Sequence, residues 1–303
     1  MKPSTSLIVN FVKEKTALLV DWFLSFFTDR SQSFVSLASA NIPKLLSSTE
    51  KVLIFVSYNS EDLMSASRSK FFDYFTLSGW TVLFVENGDI STSDIRNRNF
   101  HFIKGNNRGR DLGAYRDLAD YMRDYSGALI FLNSSIFWNM SDIHQIVKKC
   151  EDLTENDADV VGLTDSYQTG VRHLQSYFFF FSPASVRLGA HQKAFLHVKN
   201  WKFKRAIVRY GEIPILTRLQ QLGFHVSVIQ PYESLKEQFI GDNEVKNIYS
   251  KRDYKQIKKR LEIGIPLNPT QHFAPILWMN LKVLKASFVD SNPANLETRL
   301  QNQ

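Results

Sequence analysis

The sequence predicts an α/β protein with a mostly parallel sheet flanked by helices and helical segments added at both ends. Three observations carry this. Short apolar runs bounded by polar residues, such as residues 51–58 (KVLIFVSY) and 128–132 (ALIFL), have the pattern of strands buried on both faces. Segments with helical spacing of apolar residues lie between them, at the interval of βαβ units. The strands also end in polar residues, and open α/β sheets bind ligands at the carboxyl ends of their strands.

With 303 residues, 44% hydrophobic and 22% charged, the chain can bury a full core and is not disordered. Its single cysteine, Cys150, excludes an internal disulfide, fits a reducing compartment and closes a helical pattern, as a buried structural thiol does. The net charge of +7 invites an anionic partner: a phosphate-bearing substrate, an anionic membrane surface or nucleic acid. Nucleic acid ranks last, because no motif for it accompanies the charge. The N-terminus has no secretory signal pattern, so a cytoplasmic location is expected.

Residues 1–48 form a first unit. Residues 7–27 are the most apolar stretch, yet Lys13, Glu14, Lys15 and Asp21 interrupt it, leaving it short of the ~20 residues that cross a bilayer. It reads as a helix packed on the main domain or, given its aromatic load, one lying at a membrane interface. Serines, Asn41 and Pro43 then mark a linker.

Residues 49–240 form the main domain. Strand 51–58 is followed by Ser60-Glu61-Asp62, a helix start, and by Gly79, a helix stop. A second strand spans 80–85, a third 101–103 and a fourth 128–132, with a helix from 115 to 125 before the fourth. Ser141-Asp142 caps the next helix, and 159–164 is a fifth strand ending at Asp165. His173 and Gln175 stand at the polar entrance to Phe178-Phe179-Phe180-Phe181, a buried strand. A helix opens at Tyr210-Gly211-Glu212 and stops at Gly223, and 224–229 is a further strand. Residues 241–303 are a C-terminal extension, strongly basic from Lys246 to Arg260 and helical before its polar tail. There is no internal repeat.

The chain is organised around Asn106-Asn107-Arg108-Gly109-Arg110-Asp111, a turn between the third strand and its helix. Such a turn offers backbone N–H groups and a positive dipole end to an anion. Gly109 permits positive φ or close approach, and Asn107 tolerates left-handed geometry. Arg108 and Arg110 add cations suited to phosphate oxygens, while Asp111 can accept from hydroxyls or from the first helical N–H groups. The plain alternative is a basic turn capped by Asp111. Two more polar strand ends, Ser57-Tyr58-Asn59 and Asn133-Ser134-Ser135, would complete a nucleotide-sized crevice with it.

In order along the chain, these motifs resemble the rhamnan synthesis protein F family, bacterial glycosyltransferase-like proteins of cell-surface polysaccharide synthesis. The matching pieces are Ser57-Tyr58-Asn59, Asn107-Arg108-Gly109-Arg110-Asp111, Leu132-Asn133-Ser134-Ser135, Gly162-Leu163-Thr164, His173-Leu174-Gln175-Ser176-Tyr177-Phe178, Gly211-Glu212, Asn268-Pro269-Thr270 and Asn292-Pro293. They cover about residues 50–293. The resemblance implies a GT-A-like (Rossmann-like) fold and transfer of a sugar from a nucleotide donor to a growing glycan. Its name suggests an activated deoxyhexose such as dTDP-rhamnose. The expected acceptor is a polyprenyl-linked glycan or polysaccharide at the inner face of the cell membrane, with peripheral membrane contact. One departure stands out. The family usually carries Asn-Asp-Ser where this chain has Asn133-Ser134-Ser135, the place where such enzymes commonly set a metal-binding acid.

Sugar transfer passes through an oxocarbenium-like state and needs leaving-group stabilisation and, when configuration inverts, a base. Tyr58, Asn59, Asn107, Arg108, Gly109, Arg110, Asp111, Asn133, Ser134 and Ser135 are the expected donor contacts, and Gln175 and Tyr177 the acceptor contacts. Glu212 is the first candidate for the base, followed by Asp165 and His173. No metal site is expected, although Asp111 could hold Mg²⁺ or Mn²⁺ alone; without metal, Arg108 and Arg110 would neutralise the leaving diphosphate. The competing reading is a non-catalytic nucleotide-sugar or glycan-binding subunit of a polysaccharide assembly complex, motivated by Ser134.

Overall fold

A computed structural model describes residues 46–58, 66–88, 100–138, 143–201 and 203–285, together with Thr16, Val20 and Phe34–Ser36. The expected N-terminal helix, the caps at Ser60 and Ser141, Asn59 and the tail beyond 285 lie outside the described residues.

One sheet organises the molecule. Its strands are β1 (Phe34–Ser36), β2 (Lys51–Ser57), β3 (Thr81–Glu86), β4 (His101–Gly105), β5 (Ala128–Asn133), β7 (Val160–Ser166), β9 (Phe178–Phe181) and β10 (Val226–Gln230), with β8 (His173–Leu174) paired to β7. The order is β1-β4-β3-β2-β5-β9-β7-β10. β4, β3, β2, β5, β7 and β10 run one way; β1, β8 and β9 run the other. Apart from the sheet, β6 (Ile136–Trp138) pairs with β11 (Val283–Lys285).

The mostly parallel sheet is as expected; the reversed β9 is the feature that strand patterning could not show. After β7 the chain turns back through β8 and inserts β9 between β5 and β7, Ile130 opposite Phe180 and Val161 opposite Phe180. Four consecutive phenylalanines suit that central place because a strand there is covered on both faces. Their side chains alternate. Phe178 and Phe180 enter one core cluster with Phe55, Phe72 and Phe84, while Phe179 and Phe181 enter the other with Val56, Tyr115, Phe131 and Phe195.

Helix α1 (Ala66–Leu77) and α3 (Ile143–Glu155) cover the first face; α2 (Arg110–Tyr121), α4 (Pro183–Arg187), α5 (Ala190–Phe195) and α6 (Pro214–Gln221) cover the second. Cys150 is buried in α3, and burial pushes its thiol pKa well up, as an unreactive structural cysteine requires. The C-terminal segment continues as α7 (Tyr232–Gly241), α8 (Asn243–Ile248), α9 (Lys251–Glu262), α10 (Pro269–His272) and α11 (Ala274–Leu281). Phe239, Val245, Ile257, Leu267, Phe273 and Ile276 join the first cluster, so this segment packs into the same core as the sheet.

Candidate active site at the strand ends

Polar turns meet at the carboxyl ends of β2, β3, β4 and β5. The Asn87 N–H donates to the Ser57 carbonyl (2.9 Å), the Ser134 N–H to the Val56 carbonyl (2.9 Å), and the Asn107 N–H to Asn87 Oδ1 (3.3 Å). These bonds tie the turns into one crevice. Each comes from a strand end whose next residue has no ladder partner, so the turn must satisfy the backbone instead.

The Asn106–Arg110 turn is more contorted than its sequence suggested. Asn107 (φ 58°), Gly109 (φ 70°) and Arg110 (φ 55°) are all left-handed. Glycine is required at 109 twice over: a Cβ there would stand 3.0 Å from Gly113 Cα and 3.2 Å from the Lys199 carbonyl. Arg110 has no such licence, and a non-glycine residue held left-handed costs on the order of 1–3 kcal/mol, strain that gathers at ligand sites. Helix α2 begins at Arg110, five residues earlier than the spacing of its apolar residues predicts, with Gly109 as its N-cap. Asp111 is therefore not the capping residue; it lies inside the first turn.

Asp111 is held from two sides. Asn133 Nδ2 donates to its Oδ2 (2.5 Å), and the Ser135 N–H orients Asn133 by donating to its Oδ1 (3.0 Å). Ser135 Oγ also bonds Asn133 Oδ1. Burial pushes the Asp111 pKa upward, opposed by the N–H groups of Leu112 and Asp111, the Asn133 amide and the Arg110 charge. Arg108 and Arg110 themselves are exposed at the lip.

The second carboxylate arrives from far along the chain. Residues Ile207–Glu212 form a π-helical turn rather than the α-helical start expected at Tyr210. Such turns recur at functional sites because they re-aim one side chain. Gly211 makes the approach possible: a Cβ there would meet Leu112 Cδ1 at 3.1 Å and Trp201 at 3.2 Å. Glu212 comes to rest in the electrostatic field of Asp111, its Oε1 accepting from the Ser176 N–H (2.8 Å). Burial raises its pKa to about 7, helped by the Asp111 charge and opposed by Ser176 and Lys204.

Two groups of this crevice were not singled out from sequence as site residues. Tyr115 reads as one more apolar position of α2, yet it follows Asp111 by one helical turn and so shares its face. It is fully buried, and its hydroxyl lies near the Asn133 amide without bonding it. Burial and the charges of Asp111 and Glu212 push its pKa well above the ordinary value, and the Tyr58 phenol is raised by burial and the Asp111 charge. The other is the Phe203-Lys204 edge. Phe203 is 54% exposed, and Lys204 is close enough to Glu212 to act on its ionisation. Arg116 fixes this edge to α2, donating from Nη1 to the Val198 carbonyl (3.0 Å) and from Nη2 to Asn200 Oδ1 (3.1 Å).

The remaining expected residues form a separate corner around the end of β7. Asp165 accepts from Arg172 Nε (2.6 Å) and from the Tyr232 N–H (2.6 Å), so both its oxygens are engaged in building the fold. His173 is buried, its Nδ1 2.9 Å from the Val171 carbonyl, and burial lowers its pKa. Gln175 Oε1 accepts from Thr164 Oγ1 (2.8 Å) and Tyr177 Oη (3.3 Å), and the Thr164 and Tyr177 hydroxyls bond one another. Gln175 and Tyr177 are thus buried, and Tyr177 lies within the fields of both Glu212 and Asp165.

For a divalent cation the described donors are a poor fit. Among the described residues no three His, Cys, Asp or Glu side chains gather as a metal site. At the start of α2 Asp111 would be one carboxylate, already holding an amide donor, beside the weak ligands Ser134 and Ser135.

No protein-family model matches the chain. The uncharacterised protein y4gN of Sinorhizobium fredii is 28% identical over 186 residues, which are 58% of this chain and 47% of that protein. Among solved structures, the glycosyltransferase GlyE of Streptococcus pneumoniae is 13% identical with a TM-score of 0.38, covering 78% of this chain and 54% of its own. The galactosyltransferase LgtC, solved with donor and acceptor sugar analogues, is 14% identical with a TM-score of 0.36 over 58% of this chain and 72% of its own. TarS of S. aureus, solved as residues 1–349 with UDP, is 12% identical with a TM-score of 0.31 over 74% of each chain. The chain thus spans about half the length of y4gN and of GlyE.

Proposed function

We propose that the protein is a glycosyltransferase that moves a sugar from a nucleotide-sugar donor to a bacterial cell-surface polysaccharide precursor, working at the inner face of the cell membrane. The observation that carries this reading is the pairing of Asp111 and Glu212 in one crevice beside a cationic, glycine-bearing helix start. The left-handed turn and the first N–H groups of α2 suit the donor diphosphate, with Arg108 and Arg110 placed to neutralise it as it leaves. Asp111, oriented by Asn133, suits a hydroxyl of the donor. Glu212, with a pKa near 7, suits the removal of the acceptor's proton, since a base works best when its pKa lies near the working pH. The Phe203-Lys204 edge beside it is where an acceptor would lie. A deoxyhexose such as rhamnose, and membership of the rhamnan synthesis protein F family, rest on motif resemblance.

The test is to incubate the protein with a panel of nucleotide sugars and follow release of free nucleotide and thermal stabilisation together. A ligand at ~100 times its Kd adds about 2.7 kcal/mol to stability. Stabilisation with slow nucleotide release is the expected result. Stabilisation with no release under any acceptor would instead favour the non-catalytic binding subunit, and neither would refute both.

A further inference from the structure

We propose that the outer face of α9, together with the turn that follows it, docks the protein on an anionic lipid surface. That this docking serves sugar transfer rests on the transferase reading above; the binding itself does not.

The helix divides sharply into two faces. Ile257 is buried in the core, Tyr254 stacks on Phe239 (ring centroids 4.7 Å apart), and Leu261 packs beside them. At 100° per residue, Arg252 and Lys259 lie on the opposite side, with Lys255 next to them and Lys251 and Lys258 along the flank. All five are exposed. Three other surface lysines have acidic partners, in Lys51–Glu151, Lys148–Asp152 and Lys236–Glu233. Among the described residues the structure gives none of these five an ion pair, and their positive charges stand together on one stripe. Arg260, which the sequence groups with them, turns inward, its Nη1 2.9 Å from His272 Nε2.

The end of the stripe is apolar. Gly264 (φ 70°) closes the helix, its N–H donating to the Leu261 carbonyl (3.0 Å), while the Ile265 N–H donates to the Arg260 carbonyl (2.9 Å). This rigid turn holds Ile263 62% exposed and Ile265 40% exposed. Scattered single apolar residues on a surface need no explanation, but two at the tip of a cationic stripe match a lipid interface, where the cations meet headgroups and the isoleucines enter the acyl boundary. Nucleic acid would use the lysines and leave the isoleucines in water. The turn also stands at the working edge of the sheet. Just beyond it, the Leu267 N–H donates to Tyr232 Oη (3.1 Å) and Asn268 Nδ2 to Gln168 Oε1 (2.9 Å), and Gln168 follows the carboxyl end of β7, the edge that carries the crevice.

The experiment is sedimentation of the full chain with vesicles of phosphatidylcholine alone or mixed with phosphatidylglycerol, at low and high salt. Three proteins are compared: the unaltered chain, a Lys251/Lys255/Lys258/Lys259→Gln variant and an Ile263/Ile265→Ser variant. The substituted side chains are exposed, so thermal unfolding should be unchanged and serves as the folding control. The unaltered chain should bind the anionic vesicles, lose binding with salt and ignore phosphatidylcholine. Each cation near such a surface is worth roughly fivefold in partition, so the lysine variant, four cations short, should bind several hundredfold less, on the order of 10²–10³. The isoleucine variant should weaken binding while keeping its salt dependence. Equal binding by the unaltered chain and the lysine variant would overturn the proposal. So would binding of duplex DNA through the same lysines with no vesicle binding, which would assign the face to nucleic acid.

Discussion

Two acidic corners sit along one edge of the sheet, and they differ in what their polar atoms do. Around Asp165, Arg172 and the Tyr232 backbone N–H engage both carboxylate oxygens, His173 is turned to a carbonyl, and Thr164, Gln175 and Tyr177 close on one another. Around Asp111 and Glu212 the carboxylates also accept hydrogen bonds, from Asn133, the first N–H groups of α2 and Ser176, but the two share one electrostatic field, burial pushes both pKa values up, and Tyr115 is buried beside them. A satisfied polar corner specifies the fold, because each deletion leaves a buried partner exposed to loss. A corner where two buried carboxylates share one field holds acids whose proton affinity is displaced toward the working pH, which structure alone does not require. The same residue types therefore read as scaffold in one corner and as chemistry in the other.

The sharpest break between the corners should come from matched amide substitutions. Glu212→Gln is expected to lower the transfer rate by ~10²–10⁴-fold with little change in unfolding temperature. Asp165→Asn should do the reverse, leaving turnover per folded molecule near normal and costing about 1–3 kcal/mol as a buried carboxylate's bonds are lost. Stopped assays and thermal melts on both variants decide it, and a Glu212→Gln protein with most of its turnover would move the base to the other corner. Next in size is the donor turn. Arg110→Gly keeps the left-handed backbone and removes the charge, and Asp111→Ala removes the carboxylate; each should weaken nucleotide binding on the order of tenfold, as loss of one charged hydrogen bond does. Calorimetric titration with the donor nucleotide checks this, and unchanged affinity in both would separate the turn from the donor.

A smaller, graded effect follows from the raised Glu212 pKa. The folded protein keeps a proton on Glu212 that the unfolded chain, with an ordinary carboxylate, releases at lower pH. Its contribution to stability is therefore complete below the ordinary glutamate pKa and is lost as pH rises through about 7. Unfolding temperature should fall across that window in the unaltered chain and fall less in Glu212→Gln, while transfer activity rises over the same range. Overlapping pH curves for the two proteins would remove Glu212 from the crevice chemistry. The least change is expected from metal removal. With Arg108 and Arg110 at the diphosphate end, EDTA should leave activity nearly intact, and Ser134→Asp should introduce stimulation by Mn²⁺. Complete loss on EDTA, restored by Mn²⁺, would show that Asp111 or another carboxylate holds a cation.

Much of this was already written in the order of the residues. The apolar runs 51–58 and 128–132 have the pattern of strands covered on both faces, as β2 and β5 are, and Gly109 and Asn107 foretell a left-handed turn, since few other residues enter it. The Asn106–Asp111 turn was legible for that reason: its residues lie within one turn of the chain, where local backbone geometry decides their neighbours. What only the tertiary structure decided is what distant segments do to each other. The reversal of β9 depends on a return through β8 that leaves no periodicity of its own. Glu212 comes into the field of Asp111 because Gly211 lets a π-helical turn press against Leu112, 99 positions away in sequence. Asp165 and Glu212 look alike as letters after apolar stretches; the partners and electrostatic field each meets, which depend on all the surrounding atoms, made one a brace held by Arg172 and Tyr232 and the other an acid–base candidate beside Asp111.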